Sequence, residues 1–177
     1  KVNCIRFRGV LVKAIITAAV SSSHYSSVYA ALVAVLNTKL PEIGELVVKR
    51  AILTFRRHYR RREKLPCLAA AVFLGHLFHQ SVVHELIILQ ILTILLDEAT
   101  MTDDSVEVAV SLLQTTGYTL LEVSPAGVRA VLERLRALLH EGSLSKRTEY
   151  KVEKLLELRR KGFQSGTPPI PDELDLV

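Results

Sequence analysis

Apolar side chains recur every three or four residues along this chain, in blocks separated by prolines, glycines and serine or aspartate clusters, and that pattern restricts the fold to helices. The clearest block carries Val128, Val131, Leu132, Leu135, Leu138 and Leu139, and leaves Arg129, Glu133, Arg134 and Arg136 on the other side. Such a stripe follows the 3.6-residue turn of an α-helix, not the two-residue period of a strand. Eight blocks read this way, and none reads as a strand.

The first block runs from about Cys4 to Val20, and the second from about Ser26 to Thr38. The second stops before Pro41, because proline disfavours helical geometry in the residue preceding it. The third covers Glu42 to about Tyr59. The fourth begins at Pro66, a favoured first-turn residue, and continues to His79; the fifth spans Val82 to Asp97. Asp103, Asp104 and Ser105 offer capping oxygens for a sixth helix, with Glu107 in a negatively charged first turn and Gly117 as its stop. Ser124-Pro125 opens the seventh, which ends at Gly142. The eighth runs from about Ser145 to Lys161, before Gly162.

Taken in pairs, these segments make hairpins starting near residues 4, 42, 82 and 125, a spacing of roughly 40 residues that matches HEAT-type helical repeats. The expected fold is therefore all-α: a HEAT-like α-α superhelix, or solenoid, of about four antiparallel helix pairs. Residues 1–162 form this domain, and 163–177, with three prolines and the acidic-apolar ending Asp172-Glu173-Leu174-Asp175-Leu176-Val177, read as an extended tail or linker. With no Trp and one Met, the core must come from Leu, Val, Ile and Ala. The run Leu86 to Leu96 is interrupted by Gln90 and Thr93 and reads as a core helix covered on both sides; no stretch reaches the 18 or so apolar residues of a membrane span. Cys4 and Cys67 stand far apart without a CxxC, which fits a reducing compartment.

Catalytic motifs are missing. His84-Glu85 is followed by Ile88 where a zinc protease needs its second histidine. His76 and His79 share a helical face, but no thiolate lies at the short spacing a structural zinc site uses. There is no Walker loop, and Gly162-Phe163-Gln164-Ser165-Gly166 has the wrong spacing for a hydrolase elbow. No cofactor, metal or small-molecule substrate is expected, and no enzyme activity.

The strongest charge feature is Arg56-Arg57-His58-Tyr59-Arg60-Arg61-Arg62-Glu63-Lys64, within a chain of net charge +5. Two accounts fit it. Cations at a helix C-terminus complement the helix dipole, and the same cations can contact RNA phosphate or an acidic protein face. The single interleaved tyrosine gives little for base stacking.

Several blocks resemble one family. The stretch Val28-Tyr29-Ala30-Ala31-Leu32-Val33-Ala34-Val35-Leu36-Asn37-Thr38-Lys39-Leu40-Pro41-Glu42-Ile43-Gly44-Glu45-Leu46, followed by Lys49-Arg50, is similar to the middle domain of eukaryotic initiation factor 4G and its relatives. Tyr59-Arg60-Arg61, the block Thr102 to Val110, Leu138-Leu139-His140-Glu141-Gly142 and the ending Leu174-Asp175-Leu176-Val177 resemble the spliceosomal branch of that superfamily, the pre-mRNA-splicing factors. The resemblance covers nearly the whole chain. It implies a non-catalytic scaffold in the nucleus, at the spliceosome and nuclear speckle. Its partners would be the DEAD-box helicase of the exon junction complex, other spliceosome proteins and, as a further candidate, pre-mRNA. The family grips that helicase open and ATPase-inactive and escorts it to pre-mRNA. An RNA-binding helical-repeat module, or a translation or decay factor of the same superfamily, is the alternative.

The resemblance also implies where a helicase would touch. The family uses an Asn-Lys loop after its first helix, of which this chain holds at most Lys1-Val2-Asn3, the helix itself being absent or outside the sequence. The candidate partner-binding residues are Lys1, Asn3, Asn37, Lys39 and Glu42, the last three on an exposed turn. Arg56, Arg57, Arg60, Arg61 and Arg62 are the candidates for RNA or an acidic partner. Asn37 and Pro41 are equally explained as a helix end and a helix break, and Ile43 and Leu46 as core.

Overall fold

A computed structural model of the chain describes residues 6–163 and 170–177. The described residues hold eight α-helices and no strand, so the expected all-α class is the observed one. The helices fall into two compact units. Among the described residues, 6–83 and 170–177 make the first, and 84–163 make the second.

In the first unit, α1 (Arg8–Ser21) leads through a 3-10 turn (Ser23–Tyr25) into α2 (Ser26–Lys39), followed by α3 (Pro41–Arg60) and α4 (Lys64–His79). Pro41 opens α3 rather than only ending α2, since its missing N–H falls among the donors a first turn leaves free anyway. Ile43, Val47, Ala51 and Phe55 follow at four-residue intervals and are all buried, which gives α3 its inner stripe. That stripe packs most extensively on α4, with α2 against both and α1 against α3 and α4. On α4, Ala69, Ala70 and Ala71 are buried in succession; having no bulk beyond Cβ, they let neighbours approach from several sides. Phe73 and Leu74 are fully buried, each a side chain whose burial contributes about 1.5–3 kcal/mol. The segment 170–177 is grouped with this unit: a 3-10 turn at Asp172–Leu174 packs on α2, and Gln80 Nε2 donates to the Leu174 carbonyl at 3.1 Å.

The second unit holds α5 (Glu85–Leu95), α6 (Asp103–Val123), α7 (Pro125–Glu141) and α8 (Lys146–Arg160), with α6 packed on the other three. Several details differ from the sequence expectation. α5 starts at Glu85, not Val82, because His84 Nδ1 caps it by accepting from the Leu86 N–H. α5 is not covered all round either: Leu86 and Ile94 are exposed, while Ile88, Ile91, Leu92 and Leu95 are buried. The N-cap of α6 is Thr102 rather than an aspartate, and it trades hydrogen bonds with Ser105 in a reciprocal capping box.

Glu107 lies beyond the first turn of α6 and is buried at 7 % exposure. Its carboxylate pairs with Lys151 and, at 3.6 Å, with Arg147, both from α8. Gly117 does not stop α6, which runs on to Val123. The Phe163 ring occupies the space beside it: a Cβ on Gly117 would stand 2.6 Å from two ring carbons. Gly142 does end α7, at φ +64°, in the left-handed region where glycine carries no Cβ penalty.

Candidate partner-binding surface

The turn between α2 and α3 lies in the first unit, and its geometry is set by a close approach. Asn37 is half-buried rather than exposed: its side chain lies over Gly44, where an added Cβ would fall 2.1 Å from Asn37 Oδ1. Gly44 thus gives Asn37 its place, and Asn37 is part of the α2–α3 contact. Lys39, in the last turn of α2, is exposed. Glu42 is exposed in the first turn of α3, where its charge meets the positive end of the helix dipole. Its Oε2 also takes Arg8 Nη1 at 2.8 Å, a solvent-screened pair worth about 0–1 kcal/mol. One turn on, Lys49 sits 2.5 Å from Glu45 and holds that carboxyl below the usual range, first through their hydrogen bond and then through charge. Ile43 is core. Lys1 and Asn3 lie outside the described residues.

The arginine group stands at the far end of the same helix. Between Glu42 and Arg60 there are eighteen helical steps, about 27 Å at 1.5 Å per residue. The structure therefore does not bring the two sets of candidate residues together. Arg56, Arg57, Arg60, Arg61 and Arg62 are all exposed, and none has an ion-pair partner among the described residues. The corner beyond them is fixed by Arg62 in the left-handed region at φ 56° and by His58 Nδ1, 2.5 Å from Glu63 Oε2. Tyr59 is stacked on the buried Phe55 ring at 6.0 Å.

Sequence reasoning missed the neighbours of this group. An open groove of about 600 Å³ between α1 and α3 is lined by Lys13 and Ile16 from α1 and by Arg50, Leu53, Arg57 and His58 from α3. Arg50 is held there by a 2.6 Å hydrogen bond from its Nη1 to the Gly9 carbonyl. The spacing of Arg50, Leu53 and Arg57 at i, i+3 and i+7 was a legible signal that they share one face. Lys13 gave none, because nothing local says which helix lies beside α3.

The histidines take structural roles. His84 is a cap, and His76 and His79 have ring centroids 6.2 Å apart. Burial, and then the neighbouring His79, lowers the His76 pKa to about 4. Among the described residues no group of three potential metal ligands occurs. No single described helix is long and apolar enough to cross a membrane; α1 and the following stretch Ser23–Lys39 pass that test only as a pair bent by 114°.

The chain is similar to a pre-mRNA-splicing factor CWC22 homolog of Danio rerio, 49 % identical over 175 residues, which are 99 % of this chain and 18 % of that protein. It is 47 % identical to the homologs of Drosophila melanogaster and Homo sapiens over the same share of this chain, covering 13 % and 19 % of those proteins. The chain thus spans about a fifth of the length of its curated relatives, or less. The MIF4G domain profile matches residues 6–162. With that span of matched residues, the chain belongs to the MIF4G domain family.

Proposed function

We propose that the chain is a non-catalytic spliceosomal scaffold, acting in the nucleus and in nuclear speckles among other spliceosome proteins. In this reading it binds the DEAD-box helicase of the exon junction complex, holds it open and ATPase-inactive, and escorts it to pre-mRNA. The carrying observation is the 47–49 % identity, over 99 % of this chain, to proteins named as pre-mRNA-splicing factors. Residues 1–162 would be the HEAT-repeat domain that does this; beyond them, Phe163 packs on α6 and the 3-10 turn Asp172–Leu174 packs on α2. Lys1, Asn3, Asn37, Lys39 and Glu42 would form one contact. The exposed Arg56, Arg57, Arg60, Arg61 and Arg62 would form a second, to an acidic partner or to RNA.

The physical mechanism is population shift. A scaffold that grips the open helicase conformer better than the closed one depletes the ATPase-competent state by its differential affinity alone. Moving that balance from 1:99 to 99:1 takes a preference of roughly ten-thousand-fold.

The test is capture of purified exon-junction helicase and translational initiation helicase on this chain, with RNA-stimulated ATPase assayed alongside. Capture of the first alone, with loss of its ATPase, is the expected result. Capture of the translational helicase instead would move the chain to another branch of the superfamily, and capture of neither would sink the proposal. Direct RNA binding is the second reading, favoured by five exposed arginines without ion-pair partners among the described residues. It predicts affinity for single-stranded RNA that falls steeply with salt.

A further inference from the structure

We infer that the α1–α3 groove is a docking site for an acidic amphipathic segment of a partner protein, and that Leu53 is its apolar anchor. This rests on the scaffold reading for the existence of a protein partner, and it narrows the second contact from two chemical classes to one.

The argument begins with α3 itself. Arg50, Leu53, Arg57 and Arg60 fall at i, i+3, i+7 and i+10, one face of the helix about 15 Å long. The groove between α1 and α3 lies along this face, with Lys13 on its α1 wall and Ile16 on its floor. A second, smaller groove of about 410 Å³ shares Leu53 and Arg57 and adds Arg56, Arg60 and Arg61. Leu53 therefore stands between two basic grooves, at 57 % exposure. Among the described residues, no carboxylate lines either groove. Lys13, Arg56, Arg57, Arg60 and Arg61 have no ion-pair partner among the described residues.

Two features decide the occupant. A single-stranded nucleic acid draws much of its affinity from bases stacked on aromatic rings, yet among the described residues neither groove is lined by Phe, Tyr or Trp. Tyr59, the aromatic within the basic run, is stacked on Phe55 instead. The apolar element is the second feature. Leu53 beside Ile16 and Val20 gives phosphates nothing, whereas a helix with a leucine stripe and flanking glutamates satisfies both the apolar centre and the basic rim.

The probe is a fluorescein-labelled helical peptide with leucines at i, i+3, i+4 and i+7 and glutamates elsewhere. It is compared by anisotropy with a peptide of the same composition whose leucines are scattered, and with labelled oligouridylate. Binding of the patterned peptide above both controls is expected, weakened about ten-fold by Leu53→Ser, which removes one leucine's worth of apolar burial. Lys13→Glu with Arg57→Glu should weaken it further. All three positions of change are exposed and outside the core, and an unaltered urea midpoint checks that each variant folds.

Failure of the patterned peptide to bind overturns the inference. So does equal binding of the scattered peptide, tighter binding of oligouridylate, or indifference to Leu53→Ser. Helicase capture by the wild-type chain separates the two readings: capture with no peptide binding removes this groove alone, and loss of capture removes the scaffold reading.

Discussion

Gly117→Ala sets two known effects against each other inside one helix, and the structure gives the sign. Alanine in a helix interior is favoured over glycine by about 1 kcal/mol, so an open site would be stabilised. At Gly117 the new Cβ meets Phe163 Cδ1 and Cε1 at 2.6 Å and Cγ at 2.9 Å, closer than real Cβ contacts come. The ring cannot swing away cheaply: Phe163 is 4 % exposed, its backbone sits at φ 57°, and its N–H donates to the Leu158 carbonyl at 3.0 Å. Overpacking of this kind costs about 1–3 kcal/mol, so the net change is a destabilisation of roughly 0–2 kcal/mol. The sign should reverse when the ring is removed. In a Phe163→Leu background, Gly117→Ala should stabilise by up to about 1 kcal/mol, leaving a coupling energy of about 1–3 kcal/mol. Urea unfolding of the four species of this cycle, followed by far-UV circular dichroism, measures it. A stabilising Gly117→Ala in the wild-type background would refute the claim that Phe163 is clamped on α6.

Three further outcomes follow from single sites. Thr102→Ala removes the side-chain half of the α6 capping box and should lower stability by about 1 kcal/mol, read from the urea midpoint; no change would mean the cap is idle. Burial pushes the Cys67 thiol up to about 11, so in a Cys4→Ser background it should react with a disulfide reagent at pH 8 only as fast as the chain opens, and immediately in denaturant. The His76 pKa is lowered from 6.5 to about 4, first by burial and then by His79. Between those values the unfolded chain binds a proton the folded chain does not, so stability falls as pH drops from 6.5 towards 4, by at most about 3 kcal/mol. His76→Gln should flatten that fall in urea melts at pH 7 and pH 4.5, and an unchanged slope would assign it elsewhere.

The candidate site was legible in part. The arginine run announced itself as charge density, and its place at the end of α3 followed from where the helical period broke. Asn37 sits in the last turn of α2, half-buried rather than on an exposed turn. A sequence shows that it ends a helix; it does not show that a bare glycine seven residues later lies beneath it. Leu53 was invisible as an exposed residue, because an apolar side chain at helical spacing is read as core until the neighbouring helices are known.

The sequence alone determined the number and kind of the elements: eight helical segments, the break between the second and third at Pro41, the end of the seventh at Gly142 and the absence of strands among the described residues. Those follow from interactions between residues a few positions apart, and the letters carry them directly. Only the tertiary structure decided the rest. It placed Phe163 on Gly117 across 46 residues, buried Glu107 between Arg147 and Lys151 of α8, and set Lys13 of α1 opposite Arg57 of α3. Each depends on which helix faces which. Helical periodicity says that a stripe will be buried, but the shapes and charges of all the stripes together choose its partner.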